Sequence, residues 1–426
     1  MLEYKNIRQL QDSMTNGELT SRKLCLHYLK RIGDIDRCKN GLNSVAEINP
    51  STLDIADKLD YERENGHIRS PLHGIPIMIK DNINTADSMH TTGGSLALKD
   101  NFAPYDAGIV ENLRKAGAVI LGKTNLTEFA NYMAKGMRGG YSSLGGQVLC
   151  PYDRDADPSG SSAGSAVAVA ARLCPVTVGT ETSGSIISPS RTNGIVGLKP
   201  TKELIPGEGI IPISNTLDTA GPMGNSVEDV SVLLGGLTGE GDKYIKGLRS
   251  SSLKGKRIGL NRIYIKDISL ENADSFNKLT EVLKKNGAEL VDIPDMNYNR
   301  QLGNVMRYEF KNNLNYYLST LNPGFHIKTL NDIIDFNREN KKKTMKYGQF
   351  YLLNAKYFSS GRLKEEVYLK ALAVREEEIQ RLKKLHQDNG IDVIIHASIY
   401  NNLAAFTGCP SITIPTGLDS KGMPLG

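Results

Sequence analysis

Residues 175–198, PVTVGTETSGSIISPSRTNGIVGL, decide how this chain is read. Two apolar, β-branched runs, PVTVG and GIVGL, have the composition of buried strands. Between them the chain is almost entirely hydroxyl and glycine, too polar for a helix interior and without the alternation of a strand. Gly184 permits a left-handed φ or a close backbone approach. Pro189 forbids continued strand pairing. A tight turn over ETSGS can point several backbone N–H groups inward, the geometry that binds an oxyanion. A turn whose hydroxyls only satisfy its own backbone is the plainer alternative.

Working outward, strand and helix patterns alternate. Residues 75–79 (IPIMI) read as a strand ending at Lys80, 106–116 as a helix, 118–121 (AVIL) as a strand, and 124–134 as a helix opened by Thr124 or Asn125. SAVAVAARL (165–173) and SVEDVSVLLGGL (226–237) read as helices, as do 19–35, with Thr20 or Ser21 as N-cap, and 51–64. This alternation predicts the α/β class: a single large domain over 1–426 with a mostly parallel, mixed central sheet covered by helices on both faces. Beyond residue 240, KRIGL (256–260), a helix over 271–286 and ELVDI (289–293) repeat the theme. Residues 300–390 are charged and helical and read as an insertion or cap. IDVII (391–395) and 411–414 return to the pattern of buried strands. SITIPTGL reads as a strand and turn, and SKGMPLG as ending where a hairpin partner would begin, as though the C-terminus were truncated.

Composition excludes several classes. The net charge is +5 over 426 residues with acids and bases interspersed, so there is no basic stripe for nucleic acid. The longest apolar run, near 166–171, is far shorter than a membrane span. Cys25, Cys38, Cys150, Cys174 and Cys409 lack metal or redox spacing and read as reduced thiols of a cytoplasmic protein. The opening MLEYKNIRQLQDS has no apolar core of a signal peptide.

Three segments combine polar groups with apolar support. In GIPIMIKDNI (74–83) a lysine directly follows a buried strand, unusual because lysine is seldom buried unpaired. The bland reading leaves Lys80 pointing to water. In DPSGSSAGSAVAVAA (157–171) serines and glycines precede an Ala/Val helix, where exposed amides cap or bind anions. Gly160-Ser161-Ser162-Ala163-Gly164 also satisfies G-x-S-x-G, the nucleophile elbow centred on Ser162, which would need a downstream acid and histidine. The third segment is the opening one. Together they make a possible Ser and Lys catalytic set. A serine hydroxyl needs a base. Lysine serves only when neutral, so its reference pKa of about 10.4 must fall toward roughly 7–8, which costs about 3–4 kcal/mol. Burial shifts it in that direction.

These residues resemble the amidase signature family, Ser-cisSer-Lys hydrolases that include peptide amidases, fatty-acid amide hydrolases and the amidase subunit of glutamyl-tRNA amidotransferases. The resemblance runs from about residue 5 to the end and is densest over 72–223. LHGIPIMIKDNI looks like the lysine segment, DPSGSSAGSAVAVAA the cis-serine segment and GTETSGSIISPSRTNGIVGLKPT the nucleophile segment. It implies Lys80 as base, Ser161 as cis-serine, Ser185 as nucleophile, Ser162 as support, and backbone N–H groups of Thr182, Ser183, Gly184 and Ser185 as oxyanion hole. It implies no metal and no cofactor, a small-molecule or peptide amide substrate, and a monomer or homodimer. Ser159 and Ala163 replace common glycines, tolerable if their φ angles are negative. Ser183 stands where Gly or Asp is usual, and Ile187 where many members have Arg. GIIPIS followed by TAGPM (209–223) looks more like peptide amidases than the tRNA amidotransferase component, as do YSSLGGQ (141–147) and YEFKNNLNYYL (308–318). The resemblance implies hydrolysis of a carboxylic or peptide C-terminal amide through a serine acyl-enzyme. The alternatives are an amidotransferase subunit that releases ammonia for a tRNA-dependent complex, a catalytically silent binding homologue and an elbow-type esterase. Met133, Met137, Tyr141 and Phe310 are candidates to line an apolar substrate channel, with plain core as the alternative.

Overall fold

The structure, a computed structural model, describes residues 2–263, 265–294, 296, 301–397 and 402–426. Strands β1 (Val45–Ile48), β2 (Pro76–Lys80), β3 (Val119–Thr124), β4 (Val176–Glu181), β5 (Val196–Lys199) and β6 (Thr219–Gly224) build a central sheet. With one later strand, Ser411–Thr413, they form a seven-stranded sheet in the order β1-β3-β2-β4-β6-β5 and then 411–413. Every residue of β2, β3, β4 and β6 is buried. A strand buried at every position must be covered on both faces, because successive side chains point opposite ways. Ile77, Met78 and Ile79 of β2 and Val176 and Val178 of β4 accordingly join one apolar cluster with Leu10, Leu113 and Leu233 from the surrounding helices.

The fold is α/β with a mixed sheet, as expected, but within this central sheet only β2–β3 and β2–β4 pair parallel. The other pairings, β1–β3, β4–β6, β5–β6 and 411–413 with β5, are antiparallel. The position of β6 accounts for two of these four. Strands β3, β2, β4 and β5 run in one direction, and β6 inserts between β4 and β5, turning one potential parallel contact into two antiparallel ones.

The helices follow the expected spans closely. Thr20 caps Ser21–Arg31 through its side chain, and further helices cover Thr52–Glu64, Gly108–Lys115, Ala163–Ala170 and Val227–Thr238. The exception is 124–134. Thr124 ends β3, and only Glu128–Asn131 turns, with positive φ at Phe129 (47°), Ala130 (53°) and Asn131 (67°). One local and two longer-range hydrogen bonds compete with the helical pattern here. Asn125 Oδ1 accepts from the Leu126 N–H at 2.9 Å, and the buried Glu128 carboxylate accepts from Ser143 N–H and Oγ at 2.8 and 2.9 Å.

Strands β7 (Arg257–Asn261), β8 (Glu289–Asp292) and β9 (Val393–His396) form a separate parallel sheet in the order β8-β7-β9. This corrects the expectation that IDVII and 411–414 are buried: Val393 is 54% exposed, Ile412 49% and Ile414 39%. Val393 and Ile412 lie on edge strands, where one flank has no neighbour, and Ile414 follows the strand Ser411–Thr413. Gly417–Leu418 pairs antiparallel with Pro424–Leu425, so SITIPTGL does have its hairpin partner.

The helical region over 300–390, described from residue 301, comprises Leu302–Ser319, Leu330–Glu339, Phe350–Phe358 and Glu366–Asn389, with a short turn at Lys341–Thr344. Its apolar faces (Phe310, Leu314, Leu318, Ile333, Leu352) close on Phe129, Met133, Ile211 and Ile213. It therefore packs on the segments that carry Phe129, Met133, Ile211 and Ile213.

Helix Ala163–Ala170 meets the end of β3 with no room for a side chain at Gly164, where a Cβ would stand 2.3 Å from Asn125 O and 2.5 Å from Ser44 O. Gly164→Ala is expected to lower stability by about 2–4 kcal/mol, the scale of a backbone clash in a packed core. Thermal unfolding of the variant measures it.

Candidate active site

The end of β2 delivers Lys80 into the protein interior with no exposed surface. Among the described residues, its ammonium nitrogen has no carboxylate partner within salt-bridge distance. It faces oxygen atoms instead: Ser161 Oγ at 2.8 Å, Ser162 Oγ at 3.0 Å, Thr180 Oγ1 at 2.9 Å and Thr180 O at 3.3 Å. Burial pushes the Lys80 amine down to about 7, against the smaller opposing pull of Asp218 and Glu181. The bland reading of a solvated lysine is thereby overturned.

Ser161 follows a cis peptide bond from Gly160. Its carbonyl accepts from Thr127 N–H at 3.0 Å, which ties the serine loop to the segment after β3. Ser162 donates to Thr180 O at 3.1 Å and accepts from Thr180 N–H at 3.2 Å. Gly179 makes this approach possible, since a Cβ there would stand 2.8 Å from Ser162 Oγ. Ser162 is therefore fully buried and fully engaged, which is unlike an elbow nucleophile presented to substrate. Its side chain makes no N-cap bond to its helix either, so the helix-capping reading of this serine also fails. Ser159 has a φ of 63°, so the condition set for losing its glycine is not met, while Ala163 is helical. The Asp157 carboxylate steadies the strained residue by accepting from Ser159 N–H at 2.7 Å.

Beyond β4 the chain turns at Gly184, whose φ of 80° suits glycine. Ser185 is 8% exposed, and its carbonyl accepts from Ser162 N–H at 3.2 Å, which brings it beside the serine pair. Glu181 holds the turn shut by accepting from Ile186 and Ile187 N–H at 2.7 and 3.1 Å. The N–H groups of Thr182, Ser183, Gly184 and Ser185 have no acceptor among the described residues. After the turn, Ile187–Thr192 forms a short helix that the Ser/Gly pattern hid, with Pro189 in its first turn where its missing N–H costs nothing.

A cavity of about 710 Å³ opens against this network and shares Asn82, Thr180 and Thr182 with it. Asn82 Nδ2 donates to Thr180 Oγ1 at 3.0 Å, so the cavity wall and the lysine share one hydroxyl. Asp218 also lines the cavity. It accepts from Thr182 Oγ1 at 2.5 Å and from Ile213 and Ser214 N–H at 2.7 and 2.9 Å. Burial raises its carboxyl to about 6, against those hydrogen bonds. Met133, Met137, Tyr141 and Phe310 are not among the cavity-lining residues. Met133 and Phe310 are buried in the cap cluster, Met137 packs against it, and Tyr141 lies edge-on to Tyr347 at 5.1 Å. Sequence reasoning missed Asn82, Thr180, Asp218 and Asn313. The first three lie within or beside the quoted polar segments; Asn313 lies in YEFKNNLNYYL (308–318), which enters only as part of the resemblance.

The chain is similar to known proteins in sequence and in fold. A family model described as Amidase matches residues 24–402. The crystal structure of native peptide amidase from Stenotrophomonas maltophilia superposes with a TM-score of 0.89 at 36% identity, covering 99% of this chain and 92% of that one. A Schizosaccharomyces pombe protein named as an amidase is 35% identical over all of this chain and 82% of its own length. A glutamyl-tRNA(Gln) amidotransferase subunit of Acinetobacter baumannii is 33% identical, over all of this chain and 92% of its own.

A lysine whose pKa is about 7 when folded and 10.5 when unfolded binds fewer protons in the native state between those values, so stability rises with pH across that window. Its burial burden is therefore full at and below pH 7 and gone above pH 10.5. Lys80→Met is expected to raise stability by about 2 kcal/mol at pH 7, once the oxygens left without a donor offset part of a burden of roughly 5 kcal/mol. The gain should shrink toward pH 10, as followed by denaturant unfolding across pH.

Proposed function

The chain belongs to the amidase family, and from that premise we propose that it hydrolyses a carboxylic or peptide C-terminal amide through a serine acyl-enzyme. One observation carries the reading: a fully buried lysine amine, free of carboxylate partners among the described residues, hydrogen-bonded at 2.8 Å to Ser161, with Ser185 tied to the adjacent Ser162 backbone.

Neutral Lys80 takes the proton of Ser161 as Ser161 takes that of Ser185. The Ser185 alkoxide attacks the amide carbon, and the C–O bond forms as the carbonyl π pair moves to oxygen. N–H groups of Thr182, Ser183, Gly184 and Ser185, which have no acceptor among the described residues, hold that oxyanion. The proton returns through Ser161 to the leaving nitrogen, the C–N bond breaks, and ammonia or amine departs. Water then attacks the ester, activated by the same relay, and frees the acid and Ser185. Ser162 holds the lysine toward Ser161 without reacting.

The amidotransferase reading rests on the identity to the Acinetobacter baumannii protein. Hydrolysis of a small amide by the isolated chain, with no second protein present, supports the stand-alone amidase. Activity that emerges only with a co-purifying partner favours the alternative.

A fluorophosphonate is expected to label Ser185 in the native protein and to leave Ser185→Ala unlabelled, read by peptide mapping. An adduct on Ser162 would restore the elbow mechanism. Because the base must be unprotonated, kcat should rise with pH through about 7 and then level off. Lys80→Ala is expected to lose about 10²–10⁴-fold in kcat and that pH step with it. A step unchanged in the variant would remove Lys80 from the base role.

A further inference from the structure

The cavity beside the nucleophile turn is one-sided in charge. Glu181, Glu203, Glu208 and Asp218 line it, and Lys202 is the one basic side chain among its described lining residues. The wall thus has three more acidic than basic groups, in a chain whose net charge is +5. Tyr105, Tyr316 and Tyr317 share the wall, and aromatic faces attract organic cations rather than anions.

The four carboxylates stand at two depths. Asp218 and Glu181 lie at the reacting end. Asp218 accepts from the Thr182 hydroxyl, and Glu181 from the N–H groups of Ile186 and Ile187, directly after Ser185. Two further N–H groups, of Ile213 and Ser214, point at Asp218, and such bonds favour the ionised form. Burial leaves its carboxyl at about 6, so it is charged above that value. Glu203 and Glu208 are exposed on the loop after β5, and neither has a salt-bridge partner among the described residues.

This charge bears unequally on the stages of the proposed reaction. The substrate amide is neutral. In the transition state the oxyanion is matched by the proton that Lys80 has gained, so attraction for one offsets repulsion of the other. The acid product, once its proton has passed to water, is a bare anion. A negative wall disfavours that state, and equally any substrate with a carboxylate of its own.

We propose that the wall is a charge filter in which Asp218 and Glu208 are specificity-determining residues: it admits neutral and cationic acyl groups and turns away carboxylates, the acid product included. The inference rests on the amidase reading above and adds to it the charge of the acyl group that the site selects.

The test uses three fluorophosphonates on one alkyl chain, ended by trimethylammonium, by tert-butyl, which has the same shape without the charge, and by carboxylate. Labelling of Ser185 is followed well above the titration of Lys80 and Asp218. The cationic probe is expected to react faster than the tert-butyl probe by on the order of 10-fold and the anionic probe slower by a similar factor. Both ratios should shrink as salt rises from about 0.02 to 0.5 M. Asp218→Asn keeps an oxygen for the two N–H groups and loses the charge, and Glu208→Gln removes a charge from the exposed rim. Each should bring the anionic and tert-butyl rates closer by about 3-fold or more. Should the Asp218 variant not fold, Glu208→Gln and the salt series decide. Equal rates for the three probes in the native protein, or ratios unmoved in the folded variants, overturn the filter and leave the amidase reading standing. Resistance of Ser185 to all three probes overturns the amidase reading itself and this inference with it.

Discussion

The burial of one amine at the end of β2 is the constraint on which the rest of the site depends. A charged lysine in that position would need a carboxylate or water. Lys80 has hydroxyl and carbonyl oxygens instead, from Ser161, Ser162 and Thr180. Such partners satisfy N–H donors without supplying a full negative charge, so desolvation lowers the amine's proton affinity. Glu181 and Asp218 stand near enough to oppose that shift but spend their oxygens on backbone N–H groups and Thr182. The lowered proton affinity of this amine is thus a product of what surrounds the strand end, and its burial costs stability.

The architecture keeps those partners in place by close backbone packing. Gly164 and Gly179 let the serine helix press on β3 and β4 at distances a methyl group would prevent. Strain is concentrated in the same neighbourhood, at Ser159 and in the left-handed turn Phe129–Asn131. Hydrogen bonds hold Ser159 through Asp157, Phe129 through Gly93 O and Asn131 through Thr127 O. The cap contributes from outside. Through Glu309 and Tyr317 it is hydrogen-bonded to the segments that carry Asp218 and Asn82.

Much of this was legible in the order of residues. Apolar runs such as IPIMI and PVTVG betray buried strands because a strand covered on both faces has no polar alternative. Lys80 stood out because a lysine rarely ends such a run, and the serine- and glycine-rich segments stood out because they suit neither helix nor strand. Thr20 as a cap and the helices over 52–64 and 227–238 follow from local chemistry alone. What local patterns misjudged was what long-range contacts decide. Residues 124–134 have helical spacing, yet Glu128 bonds to Ser143 and the helix is lost. Phe310 and Met133 are as apolar as any channel wall, and only packing consigned them to the core.

The sequence by itself therefore determined the α/β class, the identity of the three polar segments and the chemical types they bring together, since these depend on hydrophobic pattern, glycine and hydroxyl content. Tertiary structure alone decided the sheet order, with β6 wedged between β4 and β5, the depth at which the amine lies, and the recruitment of Asn313 from a helix far along the chain to a wall shared with Asn82. The physical reason is that desolvation and unpaired hydrogen bonds are properties of a three-dimensional environment. No residue carries them until distant parts of the chain have closed around it.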